Sequence, residues 1–248
     1  LGYGWNVLRT PRGRNQQMDK WANGQMDESE IADGGEGALG GDTGANQVEG
    51  GDAGANHADG GVMADRGWGT GVWSLGAREG WLRLYVRPET VCERVNPSLV
   101  ARRQQHINFA ARTLVDFEPA GPNEVAGLVL LQNDDFHFRF VCALGEEGER
   151  VVRVVKRLHG VDAVIGEVPV TPGPVALKVE ALGQAYSFYV AEGPGDVTLV
   201  AGPTDGRLLS TPVAGGFTGA YIGMYASSQG VPSESVADFG WFEYWEIE

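Results

Sequence analysis

Apolar and polar residues alternate with a period of two along Trp81-Leu82-Arg83-Leu84-Tyr85-Val86-Arg87. In an extended strand this puts Leu82, Leu84 and Val86 on one face and Trp81, Arg83, Tyr85 and Arg87 on the other. Similar short runs recur about every ten residues: 105–117, 125–131, 136–144, 151–157, 175–181, 186–191, 198–201, 217–226 and 238–246. Clusters of turn formers part them, such as Glu118-Pro119-Ala120-Gly121-Pro122-Asn123 and Gly193-Pro194-Gly195-Asp196. No segment keeps a helical period over three turns, so the pattern predicts an all-β fold, an antiparallel two-sheet sandwich. In the last run, alternation sets Phe239, Trp241 and Trp245 on one face and Phe242 and Tyr244 on the other. Large apolar groups on both faces call for cover on both, one side being the core. The other cover is a second layer of the same domain, a partner domain or a sugar.

Composition breaks the chain in two. Residues 1–14 and 68–248 read as one folded domain. Residues 15–67 carry eleven carboxylates against Lys20 and Arg66, a local −9 of the chain's −14. Between Gly34 and Gly61 almost no bulky side chain is present, and such a segment buries too little apolar surface to offset its ordering entropy. The expectation is a long disordered acidic insertion. Its ten-residue tandem, Gly40-Gly41-Asp42-Thr43-Gly44-Ala45-Asn46 and Gly50-Gly51-Asp52-Ala53-Gly54-Ala55-Asn56, lacks the apolar position and nine-residue period of a calcium β-roll.

The charge argues against nucleic acid as a partner, since phosphate binding draws on Lys and Arg. No apolar run approaches the length of a membrane span. Cys92 and Cys142 are too few for a disulfide scaffold or a thiolate metal site, and read as two separate small hydrophobes. Glycosidase chemistry needs two carboxylates flanking the scissile bond, and no strand of the folded part carries acids at that spacing. Nor is there a glycine-flanked serine nucleophile or a histidine set with ligand spacing. The chain alone is therefore expected not to be catalytic.

What remains is a surface. Alternation lines up Arg102, Gln104, His106 and Asn108 against Arg103, Gln105, Ile107 and Phe109, and sets His137 and Arg139 opposite Phe136, Phe138 and Phe140. Planar hydrogen-bonding side chains bordered by aromatics, Trp241 among them, suit sugar hydroxyls and the C–H face of a sugar ring. The same inventory suits a wet domain–domain interface.

Three segments, Pro97-Ser98-Leu99-Val100-Ala101-Arg102-Arg103-Gln104-Gln105-His106, Ala126 to Asp135, and Ala237-Asp238-Phe239-Gly240-Trp241-Phe242-Glu243-Tyr244, succeed one another in an order that resembles a known domain. It is the C-terminal concanavalin A-like domain of family 43 glycoside hydrolases, the β-xylosidases and α-L-arabinofuranosidases. Leu8-Arg9-Thr10-Pro11, Gly80 to Tyr85, Gln184 to Tyr189 and Ala214 to Gly223 resemble it too. The resemblance implies a jelly-roll sandwich that packs on a five-bladed catalytic propeller and reaches a loop over the active-site mouth. A phenylalanine of the Phe-Thr-Gly-Ala segment, here Phe217, then walls the substrate pocket and favours short xylo- or arabino-oligosaccharides. The sandwich supplies neither acid nor base. Where the family often has Asp-Phe-Asp this chain has Asp238-Phe239-Gly240, leaving Asp238 with backbone carbonyls as a candidate structural Ca2+ site; no other cofactor is implied. The alternative is a stand-alone lectin-like module that binds xylan-derived sugars through Arg102, Gln104 and His106.

Overall fold

The computed structural model, which describes residues 71–217 and 219–248, places thirteen strands in two antiparallel sheets. The expectations for residues 1–14, the acidic insertion 15–67 and its tandem fall outside the described residues. In chain order the strands are β1 (Trp73–Ser74), β2 (Leu82–Tyr85), β3 (Ser98–Arg103), β4 (Phe109–Asp116), β5 (Val125–Asn133), β6 (Phe136–Leu144) and β7 (Arg150–Leu158). Then come β8 (Val161–Pro169), β9 (Val175–Leu182), β10 (Ala185–Ala191), β11 (Val197–Asp205), β12 (Tyr221–Ser227) and β13 (Val236–Glu246). One sheet runs β1-β2-β13-β4-β9-β10-β11, the other β3-β12-β5-β6-β7-β8. This is the two-layer sandwich that the period-two pattern predicts.

The inner faces meet in one core. Phe109, Val115, Leu177, Phe188 and Phe239 of the first sheet pack against Leu128, Leu130, Phe138, Phe140 and Ile222 of the second, each at most 1% exposed. Phe188 joins the layers, with ring centroids 5.3 Å from Phe138 and 5.4 Å from Phe140. Burial of each such side chain contributes about 1.5–3 kcal/mol.

A second, smaller cluster explains why β5 reads as an almost unbroken apolar run. The segment 86–97 crosses the far face of the second sheet, and Val91 packs there with Leu99, Val129, Leu131, Val141 and Tyr225. Ser228 N and Gly230 N donate to Arg87 O and Pro88 O at one end of the crossing, both 2.8 Å. Arg94 pairs with Asp134 at the other, 3.2 Å. With both faces covered, β5 has no polar side.

Several boundaries differ from the pattern. Strand β3 stops at Arg103 and β4 starts at Phe109, so residues 104–108 form a loop, and the run 105–117 is only partly strand. Strand β8 escapes the alternation because it is an edge strand with exposed residues through most of its length. It is made by a tight hairpin in which His159 and Gly160 take φ of 53° and 76°, a turn whose twist suits paired strands.

The faces of β13 also need correction. The register against β4 slips between Phe239 and Trp241, a bulge at Gly240. Phe239 therefore turns inward, and beyond the bulge Phe242 and Tyr244 pack on the core while Trp241 and Trp245 turn outward. A Cβ on Gly240 would stand 3.1 Å from Leu114 Cδ2 and 3.3 Å from the Trp81 ring. The ring of Trp81 takes the space that a side chain here would fill.

Glu124, only 7% exposed, ties two loops at the end of the sandwich where β4 finishes and β5 begins. Its carboxylate accepts from Ala120 N at 2.8 Å, Ser233 Oγ at 2.6 Å and Ser235 Oγ at 3.0 Å. Burial pushes its pKa up, and the Ser233 hydroxyl, the Ala120 N–H and the Ser235 hydroxyl outweigh that, leaving it below the usual range. Glu124→Gln should cost about 1–3 kcal/mol, since one acceptor becomes an NH2 facing donors. Thermal unfolding should show a drop of about 5 °C; an unchanged melting temperature would show the carboxylate to be dispensable.

Candidate functional site

Strand registers bring several connections to one end of the sandwich. There β3 ends and β12 begins, Arg103 opposite Tyr221, and the turns β5–β6, β7–β8 and β9–β10 lie at the same end. Gln104 N donates to Ala220 O at 2.9 Å, which ties the 104–108 loop to the segment before β12.

The 104–108 loop is built around Tyr244. Its hydroxyl accepts from Gln105 N and His106 N, both 3.0 Å. The His106 ring stacks on it at 5.6 Å, the Arg102 guanidinium lies 4.2 Å above it, and its inner face stacks on Phe109 at 5.2 Å. Thus Arg102 and His106 meet on one ring rather than along one strand. Gln104 Nε2 donates to His106 O at 3.1 Å and its Oε1 accepts from Tyr186 OH at 3.4 Å. Asn108 Oδ1 accepts from Gly183 N at 2.9 Å. These bonds hold the loops, while Ile107 and Leu182 beside them stand 72% and 58% exposed.

Phe217 emerges from the same end. After β11 the chain makes a 3-10 turn (Gly206–Leu209) and one helical turn, α1 (Thr211–Ala214), then Gly215 and Gly216 with φ of 72° and 81°. Those left-handed conformations throw the next side chain off the surface. Phe217 is fully exposed, at 103%. The base of its loop is fixed from β5: Asn133 Nδ2 donates to Ala214 O at 3.2 Å, and Gln132 Nε2 to Gly215 O at 3.4 Å. Phe217, Val213, Ile107 and Leu182 are exposed apolar side chains at this end of the sandwich. Of these only Phe217 stands out in the sequence, although the Gly215-Gly216 pair before it is a visible sign of a projecting loop. Beside the loop, between segment 91–97 and the end of β5, lies a cleft of about 230 Å³.

The remaining candidates lie elsewhere. His137 and Arg139 alternate with the core phenylalanines of β6 as expected, yet they are not surface groups, at 0% and 5% exposure. His137 Nδ1 donates to Asn133 O at 3.1 Å and its Nε2 faces Cys92 Sγ at 3.7 Å. Burial drives its pKa down to about 4, so the ring is neutral at pH 7. Arg139 pairs with Asp162, which also binds Arg157 at 3.0 Å. The crossing segment and the far edge of the sheet cover both side chains. Cys92 and Cys142 are free thiols. Trp241 sits on the outer face of the first sheet, where the Arg112 guanidinium lies 5.3 Å from its ring and 5.4 Å from that of Trp245.

Asp238 is 6% exposed. Arg83 grips it bidentately, Nε to Oδ1 at 2.7 Å and NH2 to Oδ2 at 2.8 Å, and Arg78 adds a contact at 3.2 Å. Burial raises its pKa, and the hydrogen bonds from Arg83 and then Arg78 overcome this, leaving it below the usual carboxylate range. Two guanidinium charges stand where a dication would have to bind, so the residues here do not fit a calcium ion. Among the described residues no three His, Cys, Asp or Glu gather into a metal site.

Comparison with known proteins agrees with this architecture. Residues 68–245 match the family described as Beta xylosidase C-terminal Concanavalin A-like domain. The chain is 36% identical over 174 residues to a non-reducing end alpha-L-arabinofuranosidase of Bacteroides ovatus, covering 69% of this chain and 32% of that one. It is 31% identical to a xylosidase/arabinosidase of Butyrivibrio fibrisolvens, covering 71% and 34%. Among solved structures, the Bacteroides ovatus Xyloglucan PUL GH43B superposes with a TM-score of 0.67 at 31% identity, over 71% of this chain and 34% of that one. The GH43 BlXynB protein from Bacillus licheniformis superposes with 0.66 at 27% identity, with the same coverage. The chain spans about a third of the length of these relatives. A two-sheet sandwich in which the matched span takes in the described strands to within one residue of the end of β13 leads to one conclusion: this chain belongs to the family of β-xylosidase C-terminal concanavalin A-like domains.

Proposed function

We propose that this sandwich is the non-catalytic partner of a family 43 five-bladed propeller, and that it docks through the loop end bearing Val213, Ile107 and Leu182 so that Phe217 walls the substrate pocket. The observation that carries the reading is Phe217 itself, wholly exposed on a loop whose base is fixed by Gln132 and Asn133. An aromatic ring held out in water is poised to bury its area against a partner, a gain of about 1.5–3 kcal/mol. The substrates are xylo- or arabino-oligosaccharides, in keeping with the names of the relatives.

Asp134 and Asp205, two carboxylates at this end, are not set as an acid–base pair. Asp134 is tied to Arg94, and Arg207 holds Asp205 down to about 2, opposite to the raised pKa that a general acid needs. Gln104 Nε2 and Oε1 are both engaged inside the protein, which weighs against Gln104 as the centre of a sugar-binding strip.

The test is recombination. This chain, mixed with or fused to a family 43 propeller stripped of its own sandwich, should bind it with a Kd of about 1 μM and raise its hydrolysis of xylobiose. Ile107→Asp should weaken the complex about tenfold or more, because a charge then enters an apolar contact. Absence of both association and rate change in the mixed and fused forms would refute the proposal.

A further inference from the structure

The cleft beside the Phe217 loop has a lining unlike that of a simple surface groove. One wall is apolar, from Val91, Pro97, Leu131 and the ring of Tyr221. That ring is clamped, since Arg103 NH2 donates to its hydroxyl at 2.8 Å and the guanidinium lies 5.1 Å from its centroid. The rim is polar: the Arg94–Asp134 pair at 3.2 Å, with Glu93 alongside. Asn133 also lines the cleft, its Oδ1 accepting from Asp135 N at 3.0 Å while its Nδ2 holds Ala214 O.

We infer that this cleft binds a single neutral sugar ring, a pentose in free or chain-end form. A volume of about 230 Å³ is that of several waters at about 30 Å³ each, enough for one ring. A sugar presents one C–H face and a girdle of hydroxyls. The clamped Tyr221 ring and its aliphatic neighbours suit the face, and the carboxylates and guanidinium of Glu93, Asp134 and Arg94 suit the hydroxyls. Charge selects against acidic sugars: Glu93 and Asp134 outnumber Arg94 on the rim. Because Gln132 and Asn133 line the cleft and also hold the carbonyls beneath Phe217, a bound ring stiffens the loop that carries the projecting aromatic. The choice of a pentose rests on the proposed saccharide context; the site itself rests on the cleft.

Methyl-resolved NMR of the whole chain, titrated with D-xylose and xylobiose, tests this directly. The methyls of Val91, Val95 and Leu131 should shift saturably with a Kd of about 1–10 mM, and glucuronate should leave them still. Val95→Trp, at a partly exposed wall position, fills the cleft and should weaken binding at least about tenfold, with the core methyls of Leu128 and Ile222 reporting the intact fold. If that variant disturbs the core, Val95→Phe takes its place. Phe217→Ala should bind xylose unchanged, so failure of docking and failure of the cleft are separately visible. No shift in the wild type, shifts confined to residues 102–108, or full binding by a folded Val95→Trp would overturn the inference.

Discussion

Asp238→Ala should lower the melting temperature by about 10 °C at pH 7, the largest loss expected from any single charge in the described domain. The carboxylate is buried and receives three hydrogen bonds from two arginines. Removing one member of such a group strands the others, at a cost of about 3 kcal/mol. Arg78 would keep Asp116 at 2.7 Å, whereas Arg83, 25% exposed, would lose both contacts. At about 2–4 °C per kcal/mol for a domain of this size, that loss gives the stated shift.

The pH dependence follows from the lowered pKa of Asp238. A carboxyl depressed in the folded state contributes stability that is fully present above its unfolded pKa of about 3.9, and that stability is lost as pH falls through the folded value. The gap between wild type and Asp238→Ala should therefore hold steady from neutral pH to about 5 and narrow below about 4. Melting curves across that range decide it. A gap that persists undiminished at the lowest pH would mean that shape rather than charge matters, and Asp238→Asn would then melt like wild type.

That cluster also shows where sequence reading stops. Strands β4 and β9 are legible because one face meets the core and the other is only partly covered, so the two-residue period survives in the residues themselves. The β5 run is legible as a strand but not as one with two covered faces, because its second cover, segment 86–97, arrives from another part of the chain. The inversion of β13 depends on a bulge at Gly240 under Trp81, and no local pattern announces a partner so far away in sequence. A family motif suggests Asp238 as a cation ligand, and only the fold reveals Arg78 and Arg83 on its oxygens. For the same reason His137 and Arg139 pass for surface residues in the sequence: alternation specifies the face of a sheet, not what lies on it. Arg102 and His106 come together only through Tyr244, a ring that lies on the last strand.

Phe217→Ala should separate fold from function most sharply. The side chain touches nothing that its loss would expose, so the isolated chain should keep its stability within about 0.5 kcal/mol. In the assembly with a propeller, a central aromatic anchor is worth about 2 kcal/mol or more, so kcat/KM on xylobiose should fall about thirtyfold. The loss should fall mostly on KM, because Phe217 would shape the pocket without touching the proton transfers. Phe217→Leu should recover part of it, and longer xylo-oligosaccharides should suffer less than xylobiose once the wall is gone. An intact complex with unchanged kcat/KM would sink the pocket-wall role while leaving docking in place. Loss of the complex itself would instead make Phe217 a docking anchor, and Ile107→Asp would then reproduce its kinetics. The two roles thus part on one comparison, the ratio of rate loss to affinity loss between the Phe217 and Ile107 variants.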